Sequence, residues 1–143
     1  MKFAYKKIPI IRNLTLGDIV FVYRPIIPVQ IKHKSKEIKY EALIDSGADQ
    51  CIFHSEIAEI IGIPWREGKK CNFGGIGGKV FKGFASPINL VVGGNEIKTK
   101  TIFSSEIPNS SYAILGQSGF FKFFRIRFVF QKKTIEITPE QRL

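Results

Sequence analysis

The sequence predicts an all-β domain carrying one or two short helices. Three observations lead there. Short runs rich in Val, Ile, Thr, Phe and Tyr recur along the chain, separated by Gly, Pro and Asn. Several of these runs alternate apolar and polar residues with period two, and only one segment has the three-to-four spacing of an amphipathic helix. At 143 residues the chain is read as a single domain, 1–143, whose folding withdraws roughly two-thirds of its unfolded surface from water. Thirteen Phe among its apolar residues are enough to fill a core.

Residues 1–19 are read as an N-terminal extension or strand. "DIVFVY" (18–23) is a β-branched and aromatic run, interrupted by Pro25 and Pro28 in a way that suits an edge or a bend. "VQIKHK" and "IKYEALI" flank a polar "SKE" as a hairpin, with Val29 and Ile31 alternating against Gln30 and Lys32. The second strand turns continuously apolar at "ALI", so its end is expected to be buried on both faces, with Asp45 next in line. "SEIAEIIG" is the helix: Ser55 caps it, Ile57, Ile60 and Ile61 share a face, and Gly62 and Pro64 end it.

"NFGGIGGKVFKG" reads as a glycine-rich hairpin, and "PINLVVGGNEIKTKTIF" as another that turns at Gly93-Gly94-Asn95. "YAILG" is a short apolar strand and "QSGFFKFF" a short helix. "FRIRFVF" places Phe124, Ile126, Phe128 and Phe130 on one strand face; "QKK" turns; "TIEITP" closes the chain with Ile135 and Ile137 alternating against Glu136. Left unpaired, that last strand would be an exposed edge.

The net charge of +10 raises nucleic acid, an anionic surface or an acidic substrate as partners. The cations lie in small scattered groups rather than in one basic arm, which argues for a solvated basic surface and against nucleic acid. No apolar run approaches the ~20 residues of a membrane helix, and "MKFAYKKIPIIRN" lacks the apolar stretch of a signal peptide. Cys51 and Cys71 are too few for a disulfide scaffold, so the expected setting is the cytoplasm, with both thiols reduced. His33 and His54 have no partner at metal-ligand spacing, and Cys51 has no histidine base nearer in sequence than His54. No metal or organic cofactor is implied.

The chemical signal is "ALIDSGADQC", residues 42–51. Asp45 stands where a rigid, buried strand becomes a tight turn. Ser46 offers a hydroxyl, Gly47 allows close backbone approach, and Ala48 keeps the turn compact. Carboxylate-driven amide hydrolysis needs two such groups, yet Asp-Ser-Gly occurs once, and neither Asp18 nor Asp49 precedes Ser/Thr-Gly.

Taken in order, "ALIDSGAD", "FGGIGGKV" and "AILGQSGFF" resemble the catalytic loop, the flap and the bracing strand-and-helix of the retropepsins, the retroviral-type aspartic proteases. "YRPIIPVQIKHKSKEIKYEALIDSGAD" is similar to free-standing prokaryotic members, and the resemblance covers about residues 20–139. It implies a retropepsin-like half-barrel closed as a twofold homodimer, in which the second carboxylate is Asp45 of another copy. It also implies an aspartic endopeptidase acting on extended polypeptide. Asp45 is then catalytic, and Asp49 orients substrate. Gly75, Ile76, Gly77 and Gly78 form the flap, while Leu115, Gly116 and Gln117 brace the loop. Terminal strands would interleave between chains, so that removing 134–143 leaves a folded but weakly associating protein. One departure stands out: retroviral members usually have Arg where this chain has Gln117, which could bond Asp49 but not form an ion pair. Two rival readings are a catalytically silent dimer that binds peptides in the same groove, and a basic nucleic-acid-binding β module.

Overall fold

The computed structural model describes residues 1–13, 15–74, 77–109 and 111–141, the side chain of residue 13 excepted. Among these residues the chain is mostly β, in a seven-stranded sheet, a three-stranded sheet and a two-stranded ribbon.

Strand β1 (Lys2–Ala4) is followed by β2 (Lys6–Asn13) and β3 (Asp18–Arg24), which pair with each other as the ribbon. The extension thus contains two strands. Pro9 interrupts the run that becomes β2, but an edge strand tolerates a residue with no N–H to give. Next, β4 (Ile26–His33) and β5 (Lys36–Ile44) form a hairpin whose register joins His33 to Lys36. The turn is therefore Lys34–Ser35, with Lys34 at φ 54°, one residue before the expected "SKE". Pro28 is accommodated because β4 meets β8 only from Gln30 to Lys32, past the proline.

After β6 (Ile52–His54) comes α1 (Ser55–Ile61). Its cap is His54 rather than Ser55: the Glu56 N–H donates to His54 Nδ1 at 3.1 Å. Ser55 is buried in the first turn instead. The buried face is Ile57, Ala58 and Ile61, while Ile60 is 58% exposed, so the expected Ile57/Ile60/Ile61 face is rotated by one position. Gly62 ends the helix at φ 79°.

Strands β7 (Lys69–Gly74) and β8 (Val80–Val92) form the glycine-rich hairpin, with Gly74 opposite Val80. Strand β9 (Asn95–Ser104) pairs back on β8 through a two-residue turn, Gly93-Gly94, both at positive φ. The last elements are β10 (Ala113–Leu115), a wide helical turn over Gln117–Phe121, β11 (Phe124–Val129) and β12 (Thr134–Pro139).

The large sheet runs β4-β5-β10-β6-β9-β8-β7, and β4 also pairs with β8, so it curls back on itself. Phe53, Phe103, Leu90, Leu115, Phe120 and Ile31 fill its interior with no exposed surface. In the small sheet β12 lies between β1 and β11, antiparallel to both. Ile135 and Ile137 are fully buried in the same core. The closing strand is therefore an internal strand of its own chain's small sheet, which argues against the expectation that 134–143 can be removed from a folded protein.

Replacing Ile137 with Ala should cost roughly 2–5 kcal/mol by urea denaturation. Removal of residues 134–143 should abolish the cooperative transition. An unchanged midpoint for either variant would place the terminal sheet outside the folding unit.

Candidate active site

Asp45 is placed by the strands on either side of it. Strand β5 runs parallel to β10, Ala42–Ile44 against Ala113–Leu115, and β10 pairs on its other edge with Ile52 of β6. The loop of residues 45–51 therefore leaves one neighbour of β10 and returns on the other. The β10 ladder continues into the loop: the Asp45 N–H donates to the Leu115 carbonyl at 3.0 Å. The Ala48 N–H then closes a tight turn onto the Asp45 carbonyl at 3.2 Å. The Gly47 N–H donates to Asp45 Oδ1 at 2.9 Å, which orients the carboxylate. Asp45 itself is half-buried.

The loop is braced from beneath by residues 115–118. Leu115 and Gly116 are buried. A Cβ on Gly116 would collide with the Gln50 carbonyl and come within 2.8 Å of the Ala48 carbonyl, so only glycine lets the chain pass this closely. The Gln117 N–H donates to the Ala48 carbonyl at 2.9 Å and the Ser118 N–H to the Asp49 carbonyl at 2.9 Å. The Gln117 side chain does not reach for Asp49; its Nε2 donates to the Ser46 carbonyl at 2.8 Å. Ser46 thus contributes its backbone oxygen to the bracing. Asp49 is exposed and lines a smaller cleft with Asn72 and Phe73.

Asp45, Gly47 and Ala48 form the floor of an open cleft of about 660 Å³. Phe73, Gly74 and Phe81, from the root of the glycine-rich hairpin, line one side, with the two rings stacked at 5.5 Å. Ile52, Ile107, Pro108, Tyr112 and Ile114 line the rest, so the walls are largely apolar. The loop bearing Ile107 and Pro108 is tied down at both ends. The Tyr40 hydroxyl donates to the Ser111 carbonyl at 2.9 Å, and the Lys82 N–H donates to Glu106 Oε1 at 3.2 Å. Burial and, secondarily, the Glu56 carboxylate raise the Tyr40 pKa, keeping the hydroxyl a donor.

Gly77 (φ 90°) and Gly78 (φ 74°) follow at the hairpin tip, in backbone conformations that favour glycine. Gly75 and Ile76 lie outside the described residues. The wall residues escaped the sequence reading. Phe73 and Phe81 face each other across the hairpin, and the aromatic residues on either side of the glycine run in "FGGIGGKVF" were the available signal. Ile107 and Pro108 follow no periodicity and offered none.

The alternatives to Asp45 are structural. Cys51 is fully buried, and burial pushes its thiol up to about 11, although a bond from the Gly116 backbone opposes the shift. Such a thiol is neutral at pH 7 and a poor nucleophile. His54 serves as the helix cap. Trp65 is buried, edge-on to Phe84 at 5.6 Å. Among the described residues no helix is long and apolar enough to cross a membrane.

Gly116→Ala should displace residues 48–50 and lower both thermal stability and any activity of the cleft; an unshifted melting curve would show that the loop yields freely. A thiol reagent at neutral pH should leave Cys51 unmodified in the native protein and label it only in denaturant, as mass spectrometry of the labelled peptides would show.

The wider comparisons agree with this geometry. The family model described as retroviral aspartyl protease matches residues 22–122. No protein with a curated description matches the chain. Among solved structures, the EIAV protease in complex with an inhibitor is 27% identical, with a TM-score of 0.50 over 66% of this chain and 82% of that one. A retropepsin-like aspartic protease from Rickettsia conorii shares the fold at 20% identity, with a TM-score of 0.58 over 93% of this chain and 98% of that one. With the family's model spanning the catalytic-type loop, the glycine-rich hairpin and the bracing segment alike, the chain belongs to the retroviral aspartyl protease family.

Proposed function

We propose that the protein is an aspartic endopeptidase that works as a homodimer, its site completed by Asp45 from each of two chains. The observation that carries this reading is the position of Asp45: an oriented, half-buried carboxylate on a pinned loop, and the one acid lining the cleft among the described residues. One carboxylate cannot both accept a proton from water and donate one to the scissile carbonyl. A twofold axis beside the loop supplies the second, because such an interface brings a residue against its own copy.

In the assembled site one Asp45 is ionised and its mate protonated. The ionised carboxylate takes a proton from water as the oxygen attacks the scissile carbonyl carbon. The protonated one gives its proton to the carbonyl oxygen. The resulting gem-diol collapses when its hydroxyl proton returns to a carboxylate and the amide nitrogen, protonated in turn, leaves as an amine. Substrate lies extended between the loop and the β7–β8 hairpin, which offers backbone groups for strand-like pairing. The apolar walls favour apolar side chains beside the scissile bond. Asp49, at the rim, orients the substrate backbone, and the β7–β8 hairpin closes over it.

Asp45→Asn keeps the shape and removes both the base and the shared proton. Cleavage of a peptide library should fall by roughly 10²–10⁴-fold or more. Circular dichroism should be unchanged and association at least as tight, since Asn removes the repulsion that two neighbouring carboxylates exert on each other whenever both are ionised. Equal mixing of parent and variant chains should leave about a quarter of the activity if each site draws on both chains, and about half if each chain works alone. The pH profile should be bell-shaped, falling at low pH when both carboxylates are protonated and at high pH when both are ionised. Cleavage by Asp45→Asn at the parent's rate would replace the enzyme by a peptide-binding dimer.

A further inference from the structure

The β2–β3 ribbon has no evident role in the rest of the fold. Among the described residues its strands pair only with each other. A two-stranded ribbon in water is marginal without something to pack on. Its register sorts Pro9, Ile11, Ile19, Phe21 and Tyr23 onto one face. There Ile11 is 60%, Ile19 62% and Phe21 54% exposed, an arrangement that favours a partner over solvent.

The patch does not stop at the ribbon. Lys133 Nζ lies over the rings of both Tyr23 (4.8 Å) and Phe130 (3.2 Å), which joins the ribbon face to the exposed end of β11, where Phe128 and Phe130 emerge. At ~200 Å² for a fully exposed large side chain, Ile11, Ile19, Phe21, Tyr23, Phe128 and Phe130 present roughly 600 Å². A stable interface takes about 800 Å² from each partner, so this patch alone approaches what a dimer needs.

The root of the ribbon adjoins the cleft. Lys6 is bonded to Glu41 and lies 5.2 Å from the ring centroid of Tyr112, a cleft residue. The Ile44 N–H, immediately before Asp45, donates to the Pro25 carbonyl at 2.9 Å, one residue past the ribbon. The arm thus leaves the body beside the one carboxylate that needs a counterpart.

We propose that the β2–β3 ribbon is a clasp: its Ile11/Ile19/Phe21 face, continued by Phe128 and Phe130, docks on a second copy of this chain and holds the two Asp45 loops together. The proposal rests on the dimeric-protease reading and adds to it the surface that makes the dimer. The two-chain site requires another copy, and the ribbon is rooted at that site. The contact is isologous, the same patch meeting itself across the axis. A lipid surface is the competing occupant.

The test is a double variant, Ile11→Lys with Ile19→Glu. These residues face each other across the ribbon, so opposite charges keep the strands paired while making the face polar. The variant's circular dichroism should match the parent's, because among the described residues the ribbon pairs with no other strand. Sedimentation velocity over a concentration series should show the parent as a dimer and the variant associating about 100-fold more weakly. Peptide cleavage by the variant should recover as its concentration is raised. Unchanged association of the variant, or a parent that stays monomeric throughout, would overturn the proposal. So would parent binding to phosphatidylserine-containing vesicles that the variant loses with no change in sedimentation. A ribbon-dependent dimer that cleaves nothing would uphold the clasp and discard the protease reading. A variant that stays dimeric and cleaves like the parent would do the reverse.

Discussion

The structure depends on one constraint: β10 is only Ala113–Leu115, and it must pair on one side with β5 and on the other with β6. A strand so placed forces the connection from β5 to β6 to pass over its end as a short, tight loop. That loop carries Asp45. The carboxylate is thus held by the most deeply buried part of the sheet, where Ala42, Ala113 and Leu115 have almost no exposed surface. The segment after β10 is equally constrained. Gly116 passes directly beneath the loop, and the wide turn of Gln117–Phe121 packs Phe120 into the core. Gly119 presses on Cys51 so closely that a Cβ would lie 2.6 Å from its sulfur. Catalytic-type loop, bracing turn and core are one packing unit, and a change in any of them reaches the others.

Much of this was legible in the sequence, for identifiable reasons. Strand alternation and glycine placement mark the β4–β5, β7–β8 and β8–β9 hairpins because those signals are local. The apolar "ALI" before Asp45 announces burial on both faces; one face is fully buried at Ala42 and Ile44, while Leu43 on the other is only half-buried. The features that were not legible depend on distant partners. Ser55 is a better cap on propensity than His54, but its position is buried, so the neighbouring imidazole takes the N–H. Ile60 fits the helical period yet faces outward, since only part of a two-turn helix meets the sheet. "TIEITP" reads the same whether its partners are its own chain or another; the pairing of β12 with β1 spans nearly the whole sequence, and no local pattern encodes that.

The cleft shows the same division. Asp45 and its glycines follow a compact motif. The walls are assembled from Phe73 and Phe81 on a hairpin, Ile107 and Pro108 on a loop, and Ile52 and Ile114 on the central strands. Only the fold brings these together, and only Phe73 and Phe81 carried a usable hint. The bond from the Lys82 N–H to Glu106 ties the loop wall to the hairpin wall, so the two sides of the cleft are mechanically linked at its base while the tip is left to glycine.

Gln117 shows how a departure from the family pattern is absorbed. An arginine here would hold the acidic Asp49 by charge, and such a contact weakens as the carboxylate is protonated and as salt screens it. The amide of Gln117 instead donates to the Ser46 carbonyl, a neutral acceptor one residue after Asp45. That bond has no titrating partner, so protonation of carboxylates does not weaken it. It also acts nearer to Asp45 than a contact at residue 49 would. The cost is strength, since a neutral hydrogen bond contributes less than a charged one. The loop offsets this with three backbone bonds, to the carbonyls of Leu115, Ala48 and Asp49, and with the glycine at 116 that lets them form. Bracing by backbone and neutral amide leaves the Asp49 carboxylate exposed beside the smaller cleft that it lines with Asn72 and Phe73, where an arginine pair would have engaged it.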